Sequence, residues 1–379
     1  MSRELDKLLA SVNKRYGSLT ITKAADAKLL SRVQRVPTGI FGFDVATGGG
    51  IPVGRMTTLL GEYSSGKTAL ALKSAAAFQR HCRNCGRAMF DWDELTMTKT
   101  PKRCCKNAEP CRVVWFDAEG CWENDWAERL GVDVDNVYVI RTAFAEQGID
   151  VADAVIRSGE CDLLVVDSVA ALTPSVEIEE SAEKWQMGVH ARLMNKAMRK
   201  WTSATNAGGL GAGSGQCSVI LINQIRMKIG VMYGSPETSP GGKGVGFHSS
   251  MIIKVKKRGY LQSKDEMTVG LKMEIAVTKN KTAPPNRSAG FTLVFTDAYA
   301  PARVAGSTNV ARQVLDLAVF WKLVRQSGAW YEMAKGIKAQ GANEAANMLM
   351  ASENRKLLEM LTNKVMERET GWATSKESS

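Results

Sequence analysis

Gly61-Glu62-Tyr63-Ser64-Ser65-Gly66-Lys67-Thr68 fits the phosphate-loop pattern G-x-x-x-x-G-K-[ST] at every defined position. A strand-like apolar run, Arg55 to Leu60, leads into it, and a helix-like run from Thr68 through Ala69 to Gln79 leads out. That context matters because the loop works only between a strand and a helix N-terminus. There, glycines let backbone N–H groups curl around phosphates, and the helix dipole favours their charge. In such a setting Lys67 reaches the β- and γ-phosphates and Thr68 offers its hydroxyl to Mg²⁺. The stretch implies a chain that binds a nucleoside triphosphate.

Outward from the loop, short β-rich runs alternate with helical patterns between about residues 36 and 300: Met56–Leu60, Val113–Asp117, Leu163–Asp167, Val219–Asn223, Met251–Val255 and Leu271–Val277. This alternation predicts an α/β fold with a mainly parallel sheet under helices, the last two runs forming a hairpin. Three of the strands end in groups suited to a triphosphate. Leu163 to Asp167 ends in a carboxylate that can orient Mg²⁺ and its waters. Val113 to Asp117 runs into Glu119, placed to polarise an attacking water, and Val219 to Asn223 runs into Gln224, whose amide can sense a γ-phosphate but cannot act as a base.

The N-terminal residues Leu5, Leu8, Leu9, Val12 and Tyr16 form one helical apolar stripe closed by Gly17. It fits packing on its own domain as well as docking on a neighbouring subunit. Beyond Pro301 the chain turns helix-rich, at Val310–Val324, Asn343–Ala351 and Asn354–Glu369, and reads as a separate small domain.

Among 379 residues no apolar run approaches the roughly 18 needed to span a bilayer, so no membrane partner is expected. A charged N-terminus in place of a signal-peptide core points to the cytoplasm, where the eight cysteines stay reduced. The net charge of +11 makes nucleic acid a candidate partner. The segment after Gln224, Ile225 to Lys243, has no steady period and mixes cations, apolar side chains and glycines. Such a loop suits a polynucleotide, with Arg226 and Lys228 for phosphates, Met227 and Ile229 as wedges and Gly230, Gly241 and Gly242 for adaptability.

Together, Gly61 to Thr68, Asp167 to Pro174 and Asn223 to Thr238 resemble the bacterial RecA recombinases, and the likeness runs from about Val33 to Arg368. It implies a RecA-like P-loop ATPase core with a mainly parallel twisted sheet, an N-terminal helical arm over 1–35 and a small C-terminal α+β domain over 301–379, the core spanning 36–300. It also implies a DNA-dependent ATPase that polymerises on single-stranded DNA with ATP and Mg²⁺, pairs it with duplex DNA and exchanges strands. Carried over by position, Glu119 activates water and Gln224 links the γ-phosphate to the DNA loop. Trp126 stacks on adenine, with Glu123 beside it among the nucleotide contacts. A first DNA loop maps to about 180–187 with Met187 as a wedge, followed by phosphate contacts from Arg192 and Arg199; the second maps to about 225–242. Lys279 and Lys281 reach a neighbour's ATP, Phe247 is an interface aromatic, and the N-terminal stripe docks on the adjacent protomer. A ring-forming helicase shares the core fold and stands as the alternative.

The chain departs from the family pattern in several places. Gly246 stands where an interface lysine is common, and the long acidic C-terminal tail is missing, so autoinhibition through it is not expected. The largest departure lies at 80–112, where Cys82-Arg83-Asn84-Cys85-Gly86 is a C-x-x-C knuckle followed by Cys104, Cys105 and Cys111. This pattern suits a structural, zinc-ribbon-like Zn²⁺ site from Cys82, Cys85, Cys111 and one of Cys104 or Cys105. Reduced cysteines in an apolar hairpin, or a redox pair, are the other readings. Cys121, Cys161 and Cys217 read as small core residues.

Overall fold

The computed structural model describes residues 3–16, 33–93, 98–179, 188–208, 216–227, 237–263, 265–296 and 306–370. Its centre is an eight-stranded sheet. The strands used below are β1 (Met56–Gly61), β4 (Val113–Asp117), β5 (Val137–Ile140), β6 (Leu163–Asp167), β7 (Ser218–Gln224), β8 (Met251–Gln262), β9 (Thr268–Asn280) and β10 (Arg287–Val294), with β2 (Phe90–Asp93) and β3 (Thr98–Pro101) pairing separately. The spatial order is β10-β9-β8-β1-β7-β6-β4-β5. From β8 to β5 all neighbours are parallel, and β8-β9-β10 is an antiparallel meander.

The central strands are continuous apolar runs because helices cover both faces of the sheet. Alternate side chains divide between two cores. Leu59, Val113, Trp115, Leu163, Val165, Ile220 and Ile222 pack with α3 (Lys67–Gln79). Met56, Val114, Phe116, Leu164, Val166, Val219 and Leu221 pack with α5 (Ala145–Arg157) and α6 (Val189–Gly208). In the second core Trp201 of α6 is fully buried, and its indole Nε1 donates to Ile149 O at 3.3 Å. Trp201→Ala should lower stability by about 3–5 kcal/mol, read from denaturant unfolding, because the site cannot collapse around so large a void.

Two strands of the eight-stranded sheet went unread in the sequence. Val137–Ile140 is a short edge strand, and Arg287–Val294 is half exposed and interrupted by Gly290. The C-terminal region carries α8 (Val310–Phe320), α9 (Ala342–Met350) and α10 (Arg355–Thr370) as anticipated. The helix expected to reach Val324 stops at Phe320, and the chain turns instead into a three-stranded antiparallel sheet over Arg325–Ser327, Trp330–Ala334 and Ile337–Gln340. These strands are too short and exposed to print an alternating pattern. Their shared core also takes in Phe41 and Val45 of α2 (Phe41–Thr47), which fastens this region to the part of the chain that carries the central sheet.

The N-terminal stripe forms α1 (Arg3–Tyr16), and its Leu5 and Leu8 remain about half exposed, at 48% and 56%. Among the described residues no helix is long and apolar enough to cross a membrane.

Candidate nucleotide site and its flanking loops

Gly61 to Thr68 turns from the end of β1 into the N-terminus of α3. The cap is Gly66, at φ +92°, a conformation that L side chains rarely adopt. A Cβ there would also meet the flexible end of Met273 at 2.4 Å, which would have to shift. Lys67 Nζ donates to Glu62 O at 2.6 Å. Burial lowers the Lys67 pKa, while the nearby carboxylates of Asp167, Glu119 and Glu62 pull it back up. Ser65 Oγ is buried in the loop with no hydrogen-bond partner among the described residues, a placement that fits a phosphate oxygen. Tyr63, by contrast, is largely exposed.

The four strand tips meet because β1, β7, β6 and β4 are parallel neighbours, so their C-terminal ends share one edge. Thr68 Oγ1 donates to Asp167 Oδ2 at 3.0 Å. Burial pushes the Asp167 carboxyl up to about 6; the Thr68 hydrogen bond and Lys67 oppose this, and Glu119 and Asp117 add to it. A hydroxyl and a buried carboxylate in contact are hard oxygen donors, the set that fits Mg²⁺. Glu119 is exposed at the rim, where its Oε1 accepts from Ser168 Oγ at 2.5 Å and its N–H donates to Asp167 O at 3.1 Å.

Asp117, the acid that ends β4 itself, does a different job. Its carboxylate accepts from the N–H groups of Cys121 and Trp122 and from Arg141, folding the loop that presents Glu119. Cys121, expected in a core, is exposed on that loop. The turn around Asp117 lifts it away from the sheet. Cys161 and Cys217 are buried as read, with their sulfurs 3.7 Å apart.

Gln224 pairs with Gly61 across β7 and β1, and Ile225 N donates to Gly61 O at 3.1 Å. The start of the phosphate loop and the start of the following loop are therefore one hydrogen-bonded unit. Asn223 Nδ2 donates to Pro240 O at 2.9 Å, and Arg226–Met227 pairs with Glu237–Thr238, so that loop is pinched closed at its base. Gly241 and Gly242, both at positive φ, lead into α7 (Gly242–His248). Arg192 and Arg199 are both exposed, two turns apart on α6. Met187, Lys228, Ile229 and Gly230 lie outside the described residues.

Trp126 lines a cleft of about 370 Å³ together with Ser64 to Ala69, Tyr260, Leu271, Leu293 and Phe295. Its ring meets Phe295 edge-on, 5.9 Å between centroids. Tyr260, Leu293 and Phe295 escaped the sequence reading. The alternation in β8 beyond Val255 could have signalled Tyr260, but the other two depend on the register of an unread strand. Glu123 stands apart from the cleft and caps α4 (Asn124–Arg129), accepting from Asp125 N.

Lys279 and Lys281 are on the same sheet but at its other edge. Lys279 pairs with Ile252, Lys281 N donates to Ser250 O, and Ser250 N donates to Met56 O at the first residue of β1. At about 3.3 Å per residue along the strands, Lys281 is level with Met56, roughly 17 Å below Gly61, and Lys279 is level with Thr58, roughly 10 Å below it. Lys279 Nζ donates to Gly246 O and Phe247 O, and Phe247 is 71% exposed beside it.

In the cysteine-rich segment the sulfurs of Cys82, Cys85, Cys104 and Cys105 all lie within 4.8 Å of one another. Cys111 is not in this group, which corrects the set expected from spacing. Its backbone N–H donates to His81 O, which draws it into the base of the core, where burial pushes its thiol up.

A phosphate loop after β1, acidic tips on β4 and β6, and an amide-tipped β7 running into a pinched loop define a P-loop ATPase. The chain matches the RecA N-terminal domain over residues 3–99 and 95–300 and the RecA C-terminal domain over residues 312–369. It is 35% identical to Protein RecA of Acinetobacter baumannii over 368 residues, 97% of this chain and 92% of that one. It is 36% identical to Protein RecA of Acinetobacter baylyi (92% and 87% covered) and 34% identical to that of Delftia acidovorans (96% and 87% covered). The chain belongs to the RecA family. It is a DNA-dependent ATPase of homologous recombination that uses ATP and Mg²⁺, binds single- and double-stranded DNA and assembles into helical filaments.

Proposed function

We propose that this recombinase divides its ATPase machinery between two protomers. Within one chain Lys67 and the loop N–H groups hold the phosphates, and Thr68 and Asp167 hold Mg²⁺, which supplies charge neutralisation at the phosphates. Glu119 takes the proton of the attacking water, Trp126 covers the adenine, and Gln224 transmits the state of the γ-phosphate to the DNA loop at 225–242. Lys279 and Lys281 act on the ATP of the adjoining protomer, with Phe247 in the same contact. The observation that carries this division is the placement of the two lysines: Lys281 is level with Met56 at the opposite end of β1 from Gly61, and Lys279, two strands from β1, turns its ammonium to Gly246 O and Phe247 O beside exposed Phe247.

On this reading residues 1–35 are an oligomerisation arm, 36–300 the ATPase core and 301–379 a C-terminal domain, and the protein works in the cytoplasm. Arg192 and Arg199, with Arg226, Met227, Lys228, Ile229 and the first loop's Met187, contact DNA. The cysteine-rich segment holds a structural Zn²⁺.

The test is a mixing experiment. A Lys279→Ala/Lys281→Ala double variant should bind ATP but lose about 10²–10³-fold of its DNA-stimulated hydrolysis, the scale of a lost charge clamp. Blended with Glu119→Gln subunits, which keep the lysines, it should regain hydrolysis above either variant alone, because some interfaces then carry both working halves. If blending restores nothing, the lysines do not work across the interface.

A further inference from the structure

We propose that Cys82, Cys85, Cys104 and Cys105 close a four-thiolate site for one Zn²⁺, and that this metal fixes Arg83 as the buried pin joining the cysteine-rich segment to the base of the ATPase sheet. The inference rests on the zinc reading above and adds its ligand set and its task.

Four thiolates at about 2.3 Å from Zn²⁺ stand about 3.8 Å apart. Cys82 and Cys105 sulfurs are 3.7 Å apart, and those of Cys104 and Cys105 are 3.9 Å apart. The backbone around Cys82 is folded back on itself: its N–H donates to Arg87 O at 2.9 Å, and Arg83 N donates to Glu109 O at 2.9 Å. Gly86, at φ +69°, closes the turn by donating its N–H to Cys82 O at 2.7 Å. A Cβ at Gly86 would strike Gln34 Nε2 at 1.4 Å, so the knuckle is seated against the start of the core. The second pair is steadied by Arg87, which donates to Cys104 O. Four sulfur donors and no open position describe a closed, structural site for a soft-tolerant d¹⁰ cation rather than for Mg²⁺.

Arg83 is inside the chelate ring that Cys82 and Cys85 would form, so the metal would freeze its backbone. From there its guanidinium turns away from the sulfurs and inward, with its side chain only 11% exposed. It meets Asp162 at 3.4 Å and Glu160 at 3.1 Å, and donates to Gly159 O at 2.7 Å. Asp162 is where three central strands begin. Its carboxylate accepts from Arg112 N, its N–H donates to Arg112 O, and its carbonyl accepts from Ser218 N. The tips of those strands, β4, β6 and β7, carry Glu119, Asp167 and Gln224. An Arg–Asp pair this buried holds only while both partners stay in place; losing one leaves an uncompensated charge.

The experiment uses the full chain, purified with Zn²⁺ in the growth medium. Metal analysis should find about one zinc per chain in the wild type and in Cys111→Ser, and almost none in Cys85→Ser, Cys104→Ser or Cys105→Ser. Zinc release by a mercurial titrated into the wild type should require about four thiols, which covers the case where a serine variant does not fold. Removing zinc should lower the wild-type Tm by at least about 5 °C, read without nucleotide or Mg²⁺ in both states. Arg83→Gln should keep its zinc, start from a lower Tm, and lose much less on zinc removal. An equal Tm loss in Arg83→Gln and wild type would overturn the pin while leaving the metal. Zinc retained in Cys105→Ser, or lost in Cys111→Ser, would overturn the ligand set. A wild type without zinc would overturn the metal reading itself.

Discussion

Glu119→Gln should bind ATP and single-stranded DNA as the wild type does, form filaments, and fail to turn over. The amide keeps Oε1 as an acceptor for Ser168 Oγ, so the loop held by Asp117 stays folded. What disappears is the only function an amide cannot supply, acceptance of a proton from water. General-base catalysis is worth about 10²–10⁴-fold, so kcat should fall by that factor with KM for ATP little changed. Steady-state hydrolysis with saturating single-stranded DNA, beside nucleotide titration of the same preparation, measures both. Normal turnover in this variant would remove Glu119 from the site.

Lys67→Ala should fail one step earlier. Its ammonium is the buried cation of the loop, with Asp167, Glu119 and Glu62 around it, and it donates to Glu62 O at 2.6 Å. A charge-assisted hydrogen bond contributes about 1.5–3 kcal/mol, so ATP affinity should drop roughly 10- to 150-fold, with hydrolysis falling about 10²–10³-fold beyond that. Filaments that depend on nucleotide should vanish from electron micrographs. Wild-type filaments at ordinary ATP concentrations would show that assembly does not pass through this loop. The two variants separate binding from chemistry: one leaves long-lived filaments and the other none.

The contrast between Asp117 and Asp167 shows how far the sequence could be read. Both are carboxylates at the end of an apolar strand, and by pattern they are equivalent. In the fold Asp167 touches Thr68 of the phosphate loop, whereas Asp117 is consumed by Cys121, Trp122 and Arg141. Pattern reports that an acid sits at a strand tip; only the paths of the neighbouring loops decide which tip faces the phosphates. The cysteines repeat the lesson. Spacing favoured Cys111, since it completes a second pair across a loop, but the hydrogen bond from its N–H to His81 O commits it to the core. Adjacent Cys104 and Cys105 took both remaining places.

The local signals belonged to the sequence because their physics is local. A phosphate loop needs glycines, a lysine and a helix start within eight residues, and a buried parallel strand prints its own apolar run. The family likeness followed from such stretches, and so did the α/β class. The tertiary structure decided whatever depends on strand order and register. The resemblance assigns Lys279 and Lys281 to a neighbour's ATP, but where they stand relative to their own phosphate loop follows only from the pairing of β9 with β8 and of β8 with β1, which sets Lys281 level with Met56 and Lys279 level with Thr58. Phe295 and Tyr260 enter the cleft only because an antiparallel meander, half of it unread, folds back beside Gly66. Arg83 meets Asp162 only because α3 and β4 bring the insertion against the base of β6. Sequence separation hides such contacts, since each is made by residues whose own neighbours give no sign of it.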